Sequence, residues 1–122
     1  MSYKIVRKSE ATAYEAPGHF DCRPTRLHNP QDVNEGKVVM GVTHFLPGGG
    51  CEFGSNPCES VYYILAGQME IETEGEKTTL HEGDSFHCGP DTKKGIKNTG
   101  SEAWPFPWSA CRRASLTSSS RC

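Results

Sequence analysis

The chain has 122 residues, enough for one domain with a single core and too few for two. Its 13 Lys and Arg against 15 Asp and Glu give a formal net charge of -2. The basic residues are scattered, with Arg7-Lys8, Lys93-Lys94 and Arg112-Arg113 as the basic pairs, so the electrostatic footprint of a nucleic-acid binder is missing. No apolar run approaches the roughly 18 residues of a membrane span, and the opening Met-Ser-Tyr-Lys-Ile-Val-Arg-Lys lacks the apolar stretch of a secretory signal. These features predict a cytoplasmic protein with neither nucleic-acid nor membrane partners.

Residues 3–7 read as a short β-like run, followed by a loop-rich arm to residue 36 that carries Pro17-Gly18, Pro24 and Asn29-Pro30. Residues 37–46 (Lys-Val-Val-Met-Gly-Val-Thr-His-Phe-Leu) are largely β-branched and apolar, and Pro47-Gly48-Gly49-Gly50 predicts a turn at their end. Residues 60–66 (Ser-Val-Tyr-Tyr-Ile-Leu-Ala) form the strongest strand candidate, ended by Gly67. Residues 68–73 alternate polar and apolar in the period-two pattern of a half-exposed strand, and Gly75 marks a hairpin turn into residues 77–80. Residues 85–88 and 95–98 complete the series, separated by the turn Gly89-Pro90-Asp91. Short strands, glycine-rich turns and no amphipathic helix predict an all-β sandwich or barrel.

The tail reads differently. After Trp104-Pro105-Phe106-Pro107-Trp108 the chain becomes rich in Ser, Arg, Ala and Cys, with no strand pattern. Two readings stay open: an unstructured native tail, or a shifted reading frame near Pro107. Either leaves the last strand of the barrel incomplete or irregular. The expected organisation is an N-terminal arm over 1–36, a core over 37–103 and a low-complexity tail over 104–122.

Six cysteines stand at positions 22, 51, 58, 88, 111 and 122, with no Cys-x-x-Cys unit, which disfavours a structural zinc or thioredoxin-like motif. Without a secretory signal a disulfide framework is disfavoured, though the even count leaves it formally open, and most of the six are expected to be free thiols, some of them in the core.

Two stretches carry a family resemblance. Gly48, Gly54-Ser55-Asn56, Ser60 and Gly67 keep the frame Gly-x5-His-x-His-x3-4-Glu-x6-Gly; Gly83, Gly89-Pro90-Asp91, Lys94 and Asn98 keep the frame Gly-x5-Pro-x-Gly-x2-His-x3-Asn. Together with Glu59-Ser60-Val61-Tyr62-Tyr63-Ile64-Leu65-Ala66-Gly67 and Leu80-His81-Glu82-Gly83-Asp84-Ser85, this resembles the small single-domain cupins over about residues 37 to 103. The resemblance implies a double-stranded β-helix, a jelly-roll-like barrel with a small-molecule pocket in its mouth, and often a homodimer. It does not choose among oxygenases, isomerases, lyases, decarboxylases and binding proteins, because one fold hosts many functions.

The family's metal ligands map onto Gly54, Asn56, Ser60 and Lys94. Glycine offers no ligand, serine and amide oxygens are weak ones for a transition metal, and a lysine ammonium repels a cation. No cofactor is therefore expected. The set suits an anionic or carbonyl-bearing ligand, with Lys94 and Tyr62 as catalytic candidates and Asn56, Ser60, His87 and His44 as ligand-binding ones. A lysine buried among apolar walls can act as a general base or form a Schiff base; the alternative is a solvated loop lysine beside Asp91. Tyr62 shares the parity of Ser60, whereas the parity of His87 is undetermined. His19, Asp21 and Arg26 belong to the arm that can cross a pocket mouth.

The favoured expectation is a metal-independent small-molecule binder, or an isomerase or lyase. A second is a metal-dependent enzyme holding Zn, Fe, Ni or Mn by atypical ligands drawn from Glu52, Glu59, Cys58, His44 and His87, with Cys51 nearby. A third is a non-catalytic sensory or degenerate domain.

Overall fold

The structure is a computed structural model and describes residues 2–15, 17–100 and, as a backbone path, 114–121. Its strands are β1 (Thr12–Ala13), β2 (His19–His28), β3 (Val38–Gly54), β4 (Glu59–Ala66), β5 (Gln68–Thr73), β6 (Glu76–His81), β7 (Ser85–Cys88), β8 (Lys94–Lys97) and β9 (Ala114–Arg121). Every ladder is antiparallel.

β3 joins the two layers of the barrel. Its first part, Val38 to Phe45, pairs with β9, which pairs in turn with β4 and through it β7. Its last part, Gly50 to Gly54, pairs with β8, then β5 and β6. The glycine run therefore lies inside a strand that changes sheets, where a terminating turn was expected. Gly48 adopts φ +82, and a Cβ on Gly50 would stand 2.1 Å from the Ile96 carbonyl oxygen, so the bend needs glycine for its conformation and for close backbone approach.

Alternation along β4 places Ser60, Tyr62 and Ile64 inward and Val61, Tyr63 and Leu65 outward. The inward residues join a core of Phe45, Ile64, Met69, Ile71 and Ile96, with Cys22, Cys51, Tyr62, Leu80 and Phe86 packed against it. Burying each large apolar side chain contributes about 1.5–3 kcal/mol, which makes this cluster the main source of cohesion. Glu74 (φ 48) and Gly75 (φ 79) form the expected hairpin turn between β5 and β6.

Two expectations are corrected. Residues 3–7 form no strand; the first pairing is Thr12 with Arg26 on β2, and Lys4 instead ties the arm to the loop through a 3.0 Å bond from its Nζ to Asp32 Oδ1. Residues 114–121, assigned to a strandless tail, form β9 between β3 and β4. The segment has no apolar alternation, but a chain lying between two strands finds backbone partners on both sides whatever its side chains. The proline-flanked stretch before it lies outside the described residues.

Candidate functional site

Lys94 opens β8 and faces Gly54 across the β3–β8 ladder, so two mapped ligand positions meet in register. A Cβ at Gly54 would touch nothing within 4 Å, which leaves room beside the lysine. Lys94 is 9% exposed, and its Nζ lies 5.3 Å from the centroid of the Tyr62 ring. Tyr62 in turn stacks on Phe86, with ring centroids 6.1 Å apart. Among the described residues the ammonium has no ion pair and no hydrogen bond. A buried cation held only by a ring face retains most of its need for an anion.

Ser60 stands on the same inward face of β4, 1% exposed. Cys51, opposite Ile96, completes the surroundings. Its thiol is pushed up to about 12, first by burial and next by the neighbouring Cys22, with Lys94 opposing the rise. A thiol so raised stays protonated near neutrality and is a poor nucleophile there. Burial, then Asp21, raises Cys22 as well.

Asn98, at the end of the second motif, is 1% exposed and structural: its Nδ2 donates to the Phe45 carbonyl at 3.1 Å, and its Oδ1 accepts from the Gly100 N–H at 2.9 Å. It pins the strand after Lys94 to the β3 bend.

The other sequence candidates separate from this group. Asn56 is exposed, and its Oδ1 accepts from the Cys58 N–H at 2.9 Å, so the amide closes a turn instead of lining a pocket. His87 points outward, 59% exposed, with Nε2 2.6 Å from Glu59 Oε1. The neighbouring residues Phe86 and Cys88 are the inward ones on β7. His44 stands on the face of β3 opposite the buried Thr43 and Phe45, cross-strand from Arg23. Of the arm residues, Arg26 lies 4.3 Å over the Tyr14 ring and donates to Asn29 Oδ1, while His19 Nδ1 contacts the Pro17 carbonyl.

The alternative metal ligands do not converge. Among the described residues no three His, Cys, Asp or Glu side chains come together. Cys58 is disulfide-bonded, which removes its thiolate, whereas Cys22, Cys51 and Cys88 are free. Glu52 is exposed and Glu59 is engaged with His87. The residues present therefore do not fit the fold's metal centre, and no chemistry below is routed through one.

Sequence reasoning missed a concavity away from Lys94. A cavity of about 1100 Å³ lies on the outer face of β2, β3 and the end of β4, beneath the N-terminal residues Val6 to Ala11. Its signal was present in the outward parity of Val42, His44 and Leu46, but parity alone does not say what covers a face.

The two-layered, antiparallel barrel crossed by β3 is that of a double-stranded β-helix. The cupin-domain family profile matches residues 41–106, and the chain belongs to the cupin family. It is 30% identical over 95 residues to the β-D-galactosidase Rv1717 of Mycobacterium tuberculosis, covering 78% of this chain and 82% of that relative. Similar solved structures include the polyketide cyclase RemF from Streptomyces resistomycificus (TM-score 0.77, 15% identity, 98% of this chain and 80% of that one). A predicted oxalate decarboxylase from Thermotoga maritima is also similar (TM-score 0.75, 16% identity, 97% and 98%), as is KdgF from Halomonas sp. (TM-score 0.71, 18% identity, 99% and 96%). At these identities the structures support the fold alone.

Proposed function

We propose that this cupin domain binds a small anionic or carbonyl-bearing organic molecule at the Lys94 end of the barrel without a resident metal. The observation that carries the reading is the buried Lys94 ammonium, which lies over the Tyr62 ring and has no ion pair among the described residues. A ligand anion would supply its missing charge partner, Ser60 sits on the same inward wall, and Tyr62 and Phe86 offer apolar contact. An isomerase or lyase step would use Lys94 as base or iminium-forming amine, with Tyr62 beside it. A thermal-shift and NMR screen of small carboxylates, sugar acids and phenolics tests the reading: a binder whose affinity falls in Lys94→Ala supports it, and binding indifferent to that change refutes it. Elemental analysis adds an independent check, since a stoichiometric metal in the purified protein would contradict metal independence.

A second reading follows from the relative described as a β-D-galactosidase. Glycoside hydrolysis generally needs two carboxyl groups flanking the scissile bond, about 5–5.5 Å apart for retention and about 6.5–9.5 Å for inversion. The buried polar side chains among the described residues are Thr43, Ser60, Lys94 and Asn98, with no carboxylate. Sugar binding without hydrolysis therefore fits this chain better than hydrolysis does. Turnover of a nitrophenyl β-D-galactoside by highly purified protein would reverse that preference.

A homodimer remains part of the proposal, supported by the outward Val61 and Tyr63, each 44% exposed. The cytoplasm remains the proposed compartment: the free thiols favour it, and the disulfide at Cys58 counts against it.

A further inference from the structure

We infer that the cavity outside the barrel, between the N-terminal arm and the β2–β3 face, is a second ligand site for an amphipathic organic anion, a carboxylate carried on an extended apolar body. The cavity measures about 1100 Å³, at or above the roughly 300–1,000 Å³ of small-molecule sites, so it can accommodate a medium-length alkyl chain. Apolar and polar side chains share its walls: Val42 and Leu46 from β3, Leu27 from β2, Leu65 from β4 and Val6 from the arm form an apolar part, beside Thr25 of β2 and Ser9 of the arm. Displacing water from the apolar part of the wall favours an occupant with an apolar portion.

The charged groups give that occupant a sign. Arg23 and His44 are cross-strand partners on the cavity face, and Lys8 reaches the cavity from the arm. Asp21 is the acidic residue on the wall. No carboxylate among the described residues forms an ion pair with Arg23 or Lys8, so two permanent cations stand beside one acid at the edge of an apolar chamber. A carboxylate headgroup at Arg23, accepting a paired hydrogen bond from the guanidinium fork, with its chain along Val42 and Leu46, satisfies both features. A cationic amphiphile would meet like charge, and a neutral one would leave the guanidinium without a counter-ion.

The cavity reaches the core at Phe45 and Cys22, but neither Lys94 nor Tyr62 nor Ser60 lines it. Val42, His44 and Leu46 point away from the face that carries Thr43 and Phe45.

Decanoate, titrated into isotopically labelled full-length protein and followed by amide chemical shifts, tests the inference. Saturable shifts at residues 23, 42, 44, 46 and 65 are expected, with decylammonium giving none. Arg23→Ala should weaken decanoate binding about tenfold. Val42→Trp, which fills the chamber from its wall, should abolish the shifts at these residues. The retained dispersion of each variant's amide spectrum shows that it is folded. Shifts confined to the barrel interior and lost in Lys94→Ala would overturn the site. So would equal binding of decanoate and decylammonium, or no saturable binding to the folded protein. A dimer that protects the same amides and is broken by Leu65→Arg would also overturn it, by giving the face to a second copy of the chain.

Discussion

Gly54 and Lys94 face each other across the β3–β8 ladder. Both occupy positions that hold metal ligands elsewhere in the family, and here one has no side chain while the other carries an ammonium. The space that a ligand imidazole would fill at position 54 is left open beside a buried cation, the arrangement on which the proposed anion site rests.

A buried charge without a partner is destabilising, so Lys94→Met should raise the stability of the ligand-free protein. A gain of about 1–3 kcal/mol is expected, seen as a higher urea midpoint at unchanged slope. A loss of stability would mean that the ammonium already has a strong partner in the free protein.

The bend in β3 gives a paired test. Gly50→Ala places a methyl group 2.1 Å from the Ile96 carbonyl oxygen and should cost about 3 kcal/mol or prevent folding. Gly54→Ala meets nothing within 4 Å and should change stability by about 0.5 kcal/mol or less. Equal effects on the denaturation midpoint would contradict the described crossing between sheets.

Alkaline pH should loosen the core through Cys51. Its folded thiol titrates at about 12, against about 8.5 for an unfolded cysteine, so the folded state holds its proton more tightly. Stability is thus intact below about pH 8.5 and falls as pH rises towards about 12, by at most about 5 kcal/mol. Cys22, also raised, acts in the same direction. Urea midpoints from about pH 7 to about 10.5 should decline less steeply in Cys51→Ala than in the parent; parallel declines would remove Cys51 as the cause.

The Glu59–His87 contact is short but open to solvent, with side chains 49% and 59% exposed. Its worth should be about 1 kcal/mol or less, and a double-mutant cycle with Glu59→Gln and His87→Ala should return a coupling of that size. A coupling above about 2 kcal/mol would show that the pair is desolvated by something that covers this face.

What the sequence disclosed follows from which signals are local. The hairpin at Glu74 and Gly75 and the inward row Ser60, Tyr62 and Ile64 were legible because turn chemistry and period-two alternation need only neighbouring residues. The strand β9 was illegible: a Ser-rich segment is held by backbone bonds to β3 and β4, and those partners are distant in sequence. The outward direction of His87 depended on the register with Val61 of β4, which no single strand specifies. Asn56 kept the right spacing but turned its amide back to the Cys58 N–H. The family frame thus located Lys94, Tyr62 and Ser60 on one interior face, while long-range pairing decided which other candidates could join them.

The central claim is that Lys94 anchors an anion inside the barrel, and isothermal titration of parent and Lys94→Ala protein with the best carboxylate from the screen tests it most directly. The account predicts saturable binding to the parent that weakens by about 1–3 kcal/mol in the variant, roughly tenfold or more in Kd, with the amide spectrum otherwise retained. Equal affinity for the two proteins would contradict it and return Lys94 to a structural role.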